Sequence, residues 1–347
     1  MHFYLFDQIL ETHVCTSLQL SLERIGHQVT SSGKIWSGHE FPKNKADIAR
    51  IDLAVEHAIA SKPDVLFNFR ASALLPQHIK RLAAAGIRTM VWQPDDPVLY
   101  NICYSHVMDI YDDVFLCASR RVFEFYRSRD HKPAINMPFW VDTDLYKCSG
   151  SDDKRGDTVF LGHGVGKTRE WRYEALCGLT DDITLYGKFD SDPYQKTRGE
   201  LSSDDIIDNV GRYRLGVSLP QSFDTYSQTK YDFPGLGFLG QFFLPSRVVQ
   251  YAALGVPTLT IQASDYDAMH YPPGLHARDF PHARALIAKA LASPERLELL
   301  SQAAREYAVR HLDARRRAAL LDAVCNGALR AEDLSVLEQN YIYKWIT

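Results

Sequence analysis

The chain lacks several features, and each absence removes a class of protein. No stretch approaches the roughly 18 consecutive apolar residues of a membrane-spanning helix. The opening "MHFYLFDQIL" has neither a basic start nor a long apolar core, so no secretory signal is expected. The six cysteines, at 15, 103, 117, 148, 177 and 325, form no Cys-x-x-Cys pair and no short-spaced Cys/His set. Neither a zinc site nor a disulfide framework is therefore indicated, and scattered single thiols suit a reducing, cytoplasmic setting. There is no basic surplus: the formal net charge is −4. That argues against a nucleic-acid backbone or an anionic membrane as the main partner, while leaving room for a local basic cleft. Short repeats and low-complexity tracts are absent as well.

What is present is ordinary in amount and informative in order. The 347 residues are 46% hydrophobic and 24% charged, a soluble composition and a length suited to two domains of about 150 residues each. "HFYLFD" (2–7), "QVTSS", "DVLFNF" (64–69), "RTMVWQ" (88–93), "DDVFLCAS" and "PAINMPF" read as strands. A helix with Leu18, Leu22 and Ile25 on one face follows the first strand, and further helices are expected over 46–60 and in "PQHIKRLAAAG". Continuous apolar strands alternating with helices mean a parallel sheet covered on both faces.

"KCSGSDDKRGD" (147–157) then interrupts the pattern with a linker-like composition. A second alternation follows: "TVFLG", a helix through 169–178, "ITLYG", a helix near 203–213, "RLGVSLP", a helix over 243–254, and "PTLTI". Helices at about 281–293, 295–310 and 313–327 close it. The expectation is α/β: two tandem Rossmann-like domains facing across a cleft. Residues 1–147 form the first, 148–157 the linker and 158–328 the second, and the apolar tail 329–347 packs back on the body. Ligands of such sheets bind beyond the carboxyl ends of the strands, which makes strand ends the places to look.

In "VFLGHGVGKTREWR" a strand is followed by Gly162, His163, Gly164 and Gly166, with Lys167 and Arg169 behind them. Small residues let the backbone approach a ligand and helix N-termini favour anions, so this is a candidate phosphate-facing loop. The spacing is neither G-x-G-x-x-G nor a P-loop, and a plain flexible turn fits it equally. Lys188, after "TLYG", is either a second cation or a solvated one. Ser218, Gln221 and Ser222 follow another strand and suit a ligand or a loop alike.

"FFLPSRVVQYAALGVPTLTI" (242–261) is sharper. Pro245 and Ser246 read as a helix start, Arg247 lies in the first turn, and Gln250 is one turn further on, facing a similar way. A cation opposes the positive end of the helix dipole, so Arg247 makes sense there if an anion sits in front of the helix. The alternative is an arginine that reaches to solvent. In "TMVWQPDDPVLY", Asp95 and Asp96 follow a buried strand. They are either a general base, with a carboxylate pKa raised by repulsion and burial, or a loop and helix cap before Pro97. His13, after the first strand, is another possible base or a structural histidine.

The order "VFLGHG…R", "TLYGK", "DDIIDNVGRYRLGVSLP", "SRVVQYAALG", "ARDFPHARALIAKAL", "SPERLELLSQAAREYAVRHLDARRRAALL" resembles the spore-maturation-protein type (CgeB-like) of glycosyltransferase with the GT-B fold. The resemblance covers most of 155–325; in the first domain only "VWQPDDP" and "PFWVDTD" look like family positions. It implies a second domain that binds a nucleotide-diphosphate sugar and a first domain that binds the acceptor and supplies the base.

On that resemblance, Arg247 faces the diphosphate, Gly162 to Gly164 lie near the phosphates or the base, and Lys230 or Lys167 adds positive charge. Relatives usually carry a glutamate for the ribose hydroxyls where this chain has Gln250, which can accept through its carbonyl but carries no charge. Asp95, Asp96 or His13 would take the acceptor's proton if the reaction inverts. No metal or other cofactor is implied; cations and helix N-termini would neutralise the leaving group. The partners are then a nucleotide-sugar donor and an acceptor of open identity: glycan, protein, small molecule or nucleic-acid base. Two alternatives stand beside the transferase: a GT-B-fold sugar-nucleotide epimerase or hydrolase, and a non-catalytic nucleotide-sugar-binding protein.

Overall fold

The computed structural model of the chain describes residues 1–7, 14–36, 38, 40–94, 99–147, 156–165, 171–219, 244–261 and 271–334. Eleven strands are found among them: β1 His2–Phe6, β2 Gln28–Ser31, β3 Val65–Asn68, β4 Arg88–Gln93, β5 Asp113–Leu116, β6 Ile135–Asn136, β7 Gly156–Leu161, β8 Ile183–Tyr186, β9 Tyr213–Ser218, β10 Thr258–Ile261 and β11 Leu275–Ala277. The main helices are α1 Cys15–Arg24, α2 Lys45–Ala60, α3 Pro76–Ala84, α4 Arg120–Ser128, α5 Arg172–Cys177, α6 Ser203–Val210, α7 Ser246–Ala253, α8 Phe280–Leu291, α9 Pro294–Tyr307 and α10 Ala314–Cys325. A π-helical turn, Tyr100–Tyr104, precedes β5, and another, Ala308–Leu312, extends α9.

The strands form two sheets, ordered β2-β1-β3-β4-β5-β6 and β11-β10-β9-β7-β8. Every pairing between neighbouring strands is parallel. Parallel strands need crossovers, and the helices between them supply these, which is the α/β architecture expected from the alternation. The inner strands are mostly apolar and largely buried; "VLFN" of β3 and "TLTI" of β10 are buried at every position, with Asn68, Thr258 and Thr260 as their polar members. At the edge of the first sheet, "QVTS" of β2 is polar but for Val29 and only partly covered, as an edge strand can be.

The chain divides into two compact units, cut at Pro138/Phe139 and again at Asp313/Ala314. The first holds β1–β6 and, although it comes last in the sequence, α10. That helix packs on α1. Its Asp322 pairs with His27 at 3.1 Å, and Arg317 Nε donates to the Pro138 carbonyl at 3.1 Å. Its last carbonyls, Val324 and Cys325, accept from Arg88 Nη1 at 3.1 and 3.2 Å. A cation at a helix C-terminus satisfies orphan carbonyls and opposes the dipole's negative end. Around Trp92, Tyr4, Tyr104, Tyr111 and Phe67 the first core is strongly aromatic. The second is aliphatic, with Leu176, Leu185, Leu215, Val217, Leu259 and Ile287 at its centre.

One expectation fails locally. Leu18 and Leu22 are buried in α1, but Ile25 is 44% exposed. The helix ends at Arg24, and Ile25 has already left helical geometry as its C-cap, so the helical spacing no longer fixes where it points. No helix among the described residues is long and apolar enough to cross a membrane.

Candidate functional site

In the second unit, polar chemistry gathers where β7, β8 and β9 end. Beyond their last paired residues, the chains after β7 and β8 stay side by side: Gly162 N–H donates to Tyr186 O at 2.9 Å and Gly164 N–H to Lys188 O at 2.8 Å. This continuation requires glycine. Gly162 and Gly187 have φ of +152° and +139°, which side-chain-bearing residues rarely adopt. A Cβ on Gly187 would lie 1.9 Å from the Gly162 carbonyl oxygen. The glycines are thus used for backbone against backbone at a strand end, where a ligand can also approach.

Helix α7 addresses the same place from the other side. Pro245, extended at φ −64° and ψ 143°, leads into Ser246 and cannot prolong the helix backwards. Arg247, half-buried in the first turn, donates to Leu219 O just past β9 at 3.2 Å. Its guanidinium carbon stands 4.9 Å from the centre of the Phe160 ring on β7, a cation–π contact. A Cβ on Gly162 would sit 3.2 Å from its Nη2, so glycine lets the guanidinium close over the loop. Four residues on and on the same helix face, the Tyr251 hydroxyl accepts the Leu161 N–H at 2.7 Å. Its ring fills the space above Gly216, and burial raises the phenol's pKa, with Arg247 countering. Arg247 and Tyr251 together fix α7 to the ends of β7 and β9.

His163 and Lys188 border this loop. His163 Nδ1 accepts the Lys188 N–H at 3.0 Å, and the His163 carbonyl accepts from Arg172 Nη1 at 2.9 Å. The Lys188 ammonium pairs with Glu200 at 2.9 Å, and His163 Nε2 lies 3.8 Å from the same carboxylate. Lys188 holds the Glu200 carboxyl below its usual pKa. Glu200 was not singled out from the sequence; residues 190–200 lack any helix or strand pattern. Asp192 organises them, accepting from Tyr173 Oη at 2.5 Å and from the Lys196 and Thr197 N–H groups at 2.8 and 3.0 Å.

Gln250 is 3% exposed and lies against Tyr146, itself 2% exposed. Burial pushes the Tyr146 phenol up to about 12, with the Gln250 and Ser203 side chains working the other way. The structure therefore gathers Gly162, His163, Gly164, Lys188 and Arg247 around three strand ends, with Gln250 one helical turn behind. His13, Asp95, Asp96, Arg169 and Lys230 lie outside the described residues.

The first unit has its own polar edge, which sequence reasoning missed. Asp7 follows β1 in a left-handed conformation, φ 56°, and is fully buried. Its Oδ1 accepts the Ile35 and Trp36 N–H groups at 3.0 and 2.8 Å. Its Oδ2 is 3.6 Å from Arg70, which follows β3 and donates to Trp36 O at 2.8 Å. Desolvation raises the Asp7 pKa, and the Trp36 N–H, Arg70 and the Ile35 N–H oppose the rise. Gln93, at the end of β4, takes a 3.4 Å bond from Tyr126 Oη on its carbonyl, and its buried amide nitrogen has no partner among the described residues. The usable signal was an acid and a base at the carboxyl ends of "HFYLFD" and "DVLFNFR", strands that turn out to be adjacent.

Comparison with solved structures places the fold among GT-B glycosyltransferases. Anabaena Alr3699/HepE in complex with UDP-glucose matches with a TM-score of 0.62 at 13% identity, over 93% of this chain and 100% of that one. Sucrose-phosphate synthase (tll1590) from Thermosynechococcus elongatus matches with a TM-score of 0.66 at 11% identity, over 94% and 99%. A putative UDP-N-acetylglucosamine 2-epimerase from Listeria monocytogenes matches with a TM-score of 0.59 at 12% identity, over 96% and 99%. At such identities the likeness is one of fold. No family model matches the sequence, and no curated protein matches it.

Proposed function

We propose that the chain is a glycosyltransferase of the spore-maturation-protein (CgeB-like) type, taking its sugar from a nucleoside-diphosphate donor held by the second unit. The observation that carries this reading is Arg247, set in the first turn of α7 and closing over Gly162 beside Phe160. An arginine there opposes the helix dipole unless an anion shares the site. A diphosphate would meet both the guanidinium and the positive end of the helix dipole. As the sugar–phosphate bond breaks, charge grows on the leaving diphosphate, and a fixed guanidinium stabilises it most at that moment. The donor's charge would be balanced in this way without a metal ion. Gln250 would offer its carbonyl to the ribose. Asp95, Asp96 and His13 remain the resemblance's candidates for removing the acceptor's proton. The neighbours solved with UDP or UDP-glucose make UDP the first nucleotide to try.

Calorimetry with UDP, GDP and TDP on wild type and Arg247→Ala tests the reading. One nucleotide is expected to bind, and the variant to bind it at least about tenfold more weakly, the worth of one lost charge-assisted hydrogen bond. Absence of binding by all three would overturn it. A sugar-nucleotide epimerase is the second reading, favoured by the 2-epimerase of the same fold. It consumes or interconverts the donor with no acceptor present; the transferase needs one.

A further inference from the structure

Glu200 brings a negative charge to the loop that the donor reading reserves for phosphate, and the backbone is built to deliver it. After β8 the chain returns along the same strand. Leu185 N–H donates to Lys196 O at 3.0 Å, Arg198 N–H to Leu185 O at 2.8 Å and Gly187 N–H to Gly199 O at 2.7 Å. Two residues beyond Glu200, Ser202 caps α6, its hydroxyl accepting the Asp205 N–H at 3.2 Å. The backbone of Glu200 is therefore held from both sides. Its carboxylate is not enclosed: the side chain is 47% exposed, and those of Lys188 and His163 are 67% and 41% exposed. Lys188 Nζ meets Glu200 Oε2 at 2.9 Å, and His163 Nε2 stands 3.8 Å from Oε1. His163 Nδ1 already accepts the Lys188 N–H, so the neutral imidazole carries its proton on Nε2, towards the carboxylate.

An ammonium and an imidazole N–H that converge on two carboxylate oxygens would serve two phosphate oxygens as well. We propose that the Glu200 carboxylate takes the place of a phosphate at this loop, as an internal competitor for Lys188 that the donor's diphosphate displaces. This rests on the donor reading above. An exposed ion pair is weak enough to be exchanged, shifting an equilibrium by about fivefold at most. A diphosphate carries more charge than one carboxylate and also reaches Arg247, so it wins the exchange. The competitor is charged at neutral pH, since the hydrogen bond from Lys188 lowers the Glu200 pKa. The consequence is a nucleotide held less tightly than Lys188 would otherwise hold it. When the product diphosphate leaves, a carboxylate on a fixed backbone is at hand to take the lysine back.

The test is calorimetry with UDP, GDP and TDP on wild type, Glu200→Gln, Lys188→Met and the variant carrying both changes, with a thermal melt of each. Glu200→Gln is expected to bind the nucleotide that wild type binds about threefold to fivefold more tightly. Its melting temperature should be equal or slightly lower, so the gain does not come from a sturdier fold. Lys188→Met should bind that nucleotide more weakly. In the doubly changed protein the gain from Glu200→Gln should vanish, because without the lysine an exposed carboxylate turns out into solvent and is screened there. Unchanged or weaker binding by Glu200→Gln overturns the inference and leaves the donor reading standing. So does a gain that persists without Lys188, which would mean simple repulsion and no exchange. If none of the three nucleotides binds wild type, the donor reading fails and this inference fails with it.

Discussion

At position 187 a single methyl group separates a working strand end from a broken one. Gly187 packs its α-carbon against the Gly162 carbonyl at a φ of +139°, so alanine there meets both a backbone penalty and a backbone collision. Neither can be relieved by rotating a side chain. Gly187→Ala is expected to cost about 1–3 kcal/mol, the usual range for a residue held in a disfavoured conformation. It should also displace the Gly162 segment beneath Arg247, lowering nucleotide affinity more than its loss of stability alone accounts for. Urea unfolding and nucleotide titration on the same preparation check both halves; an unchanged midpoint would show that the approach is looser than the geometry implies. The Asp7–Arg70 pair teaches a different lesson about single residues. Each is unremarkable in the sequence, and 63 positions of chain conceal that β1 and β3 lie side by side.

Among the elements, α3 joins structure to pH. Its first turn encloses His78, whose Nδ1 accepts the Leu75 N–H at 3.2 Å, which leaves Nε2–H to face Asp52 Oδ1 at 3.2 Å. Desolvation lowers the His78 pKa from 6.5; Asp52 opposes the shift and Arg81 adds to it. Burial lowers His276 in the same direction. A histidine whose folded pKa is depressed binds its proton better when unfolded. Its stabilisation is therefore complete above the ordinary value of 6.5 and is lost as pH falls below it. The urea midpoint should drop between pH 7.5 and 5.5, and His78→Asn, though less stable at pH 7.5, should drop less. Parallel losses in the two proteins would exclude His78 as a source of the slope. Elements like this one were legible beforehand, because "PQHIKRLAAAG" opens on proline, closes on glycine and has an apolar stripe. The same holds for the long apolar strands, for α2 and for α7. Less legible were β11, three residues with one polar, and the stretch 190–200, which is held by Asp192 rather than by any repeating pattern. The site was half legible for the same reason. Arg247 and the glycines stand at strand and helix ends that periodicity finds. Glu200 and Tyr146 reach their places only through contacts between segments far apart in sequence.

For the whole molecule, the informative fact is that sequence order and unit membership part at Asp313. The motif order of the second half runs on through "LDARRRAALL" without a break, and nothing in that stretch announces that the chain has left the second unit. Yet α10 buries Leu320, Leu321 and Val324 completely or nearly so, and it packs on α1. Arg88, held in two places by Asp113 at 2.7 and 3.0 Å, ties the last turn of α10 to the strand layer of the first unit. Beside it burial pushes the partly covered Cys325 thiol up to about 12, so it stays protonated at neutral pH and is a poor nucleophile. The apolar face of α1 therefore depends on residues almost three hundred positions later. Leu321→Ala should cost about 2–5 kcal/mol, the span measured for buried leucine truncations. The place of the damage distinguishes this arrangement from the one that sequence order suggests. Hydrogen exchange should accelerate through residues 2–136, where β1 to β6 lie, and stay at wild-type rates through 156–277, where β7 to β11 lie. Acceleration centred on the second unit instead would mean that α10 stabilises the sheet it follows in sequence, and the assignment of this helix to the first unit would be wrong.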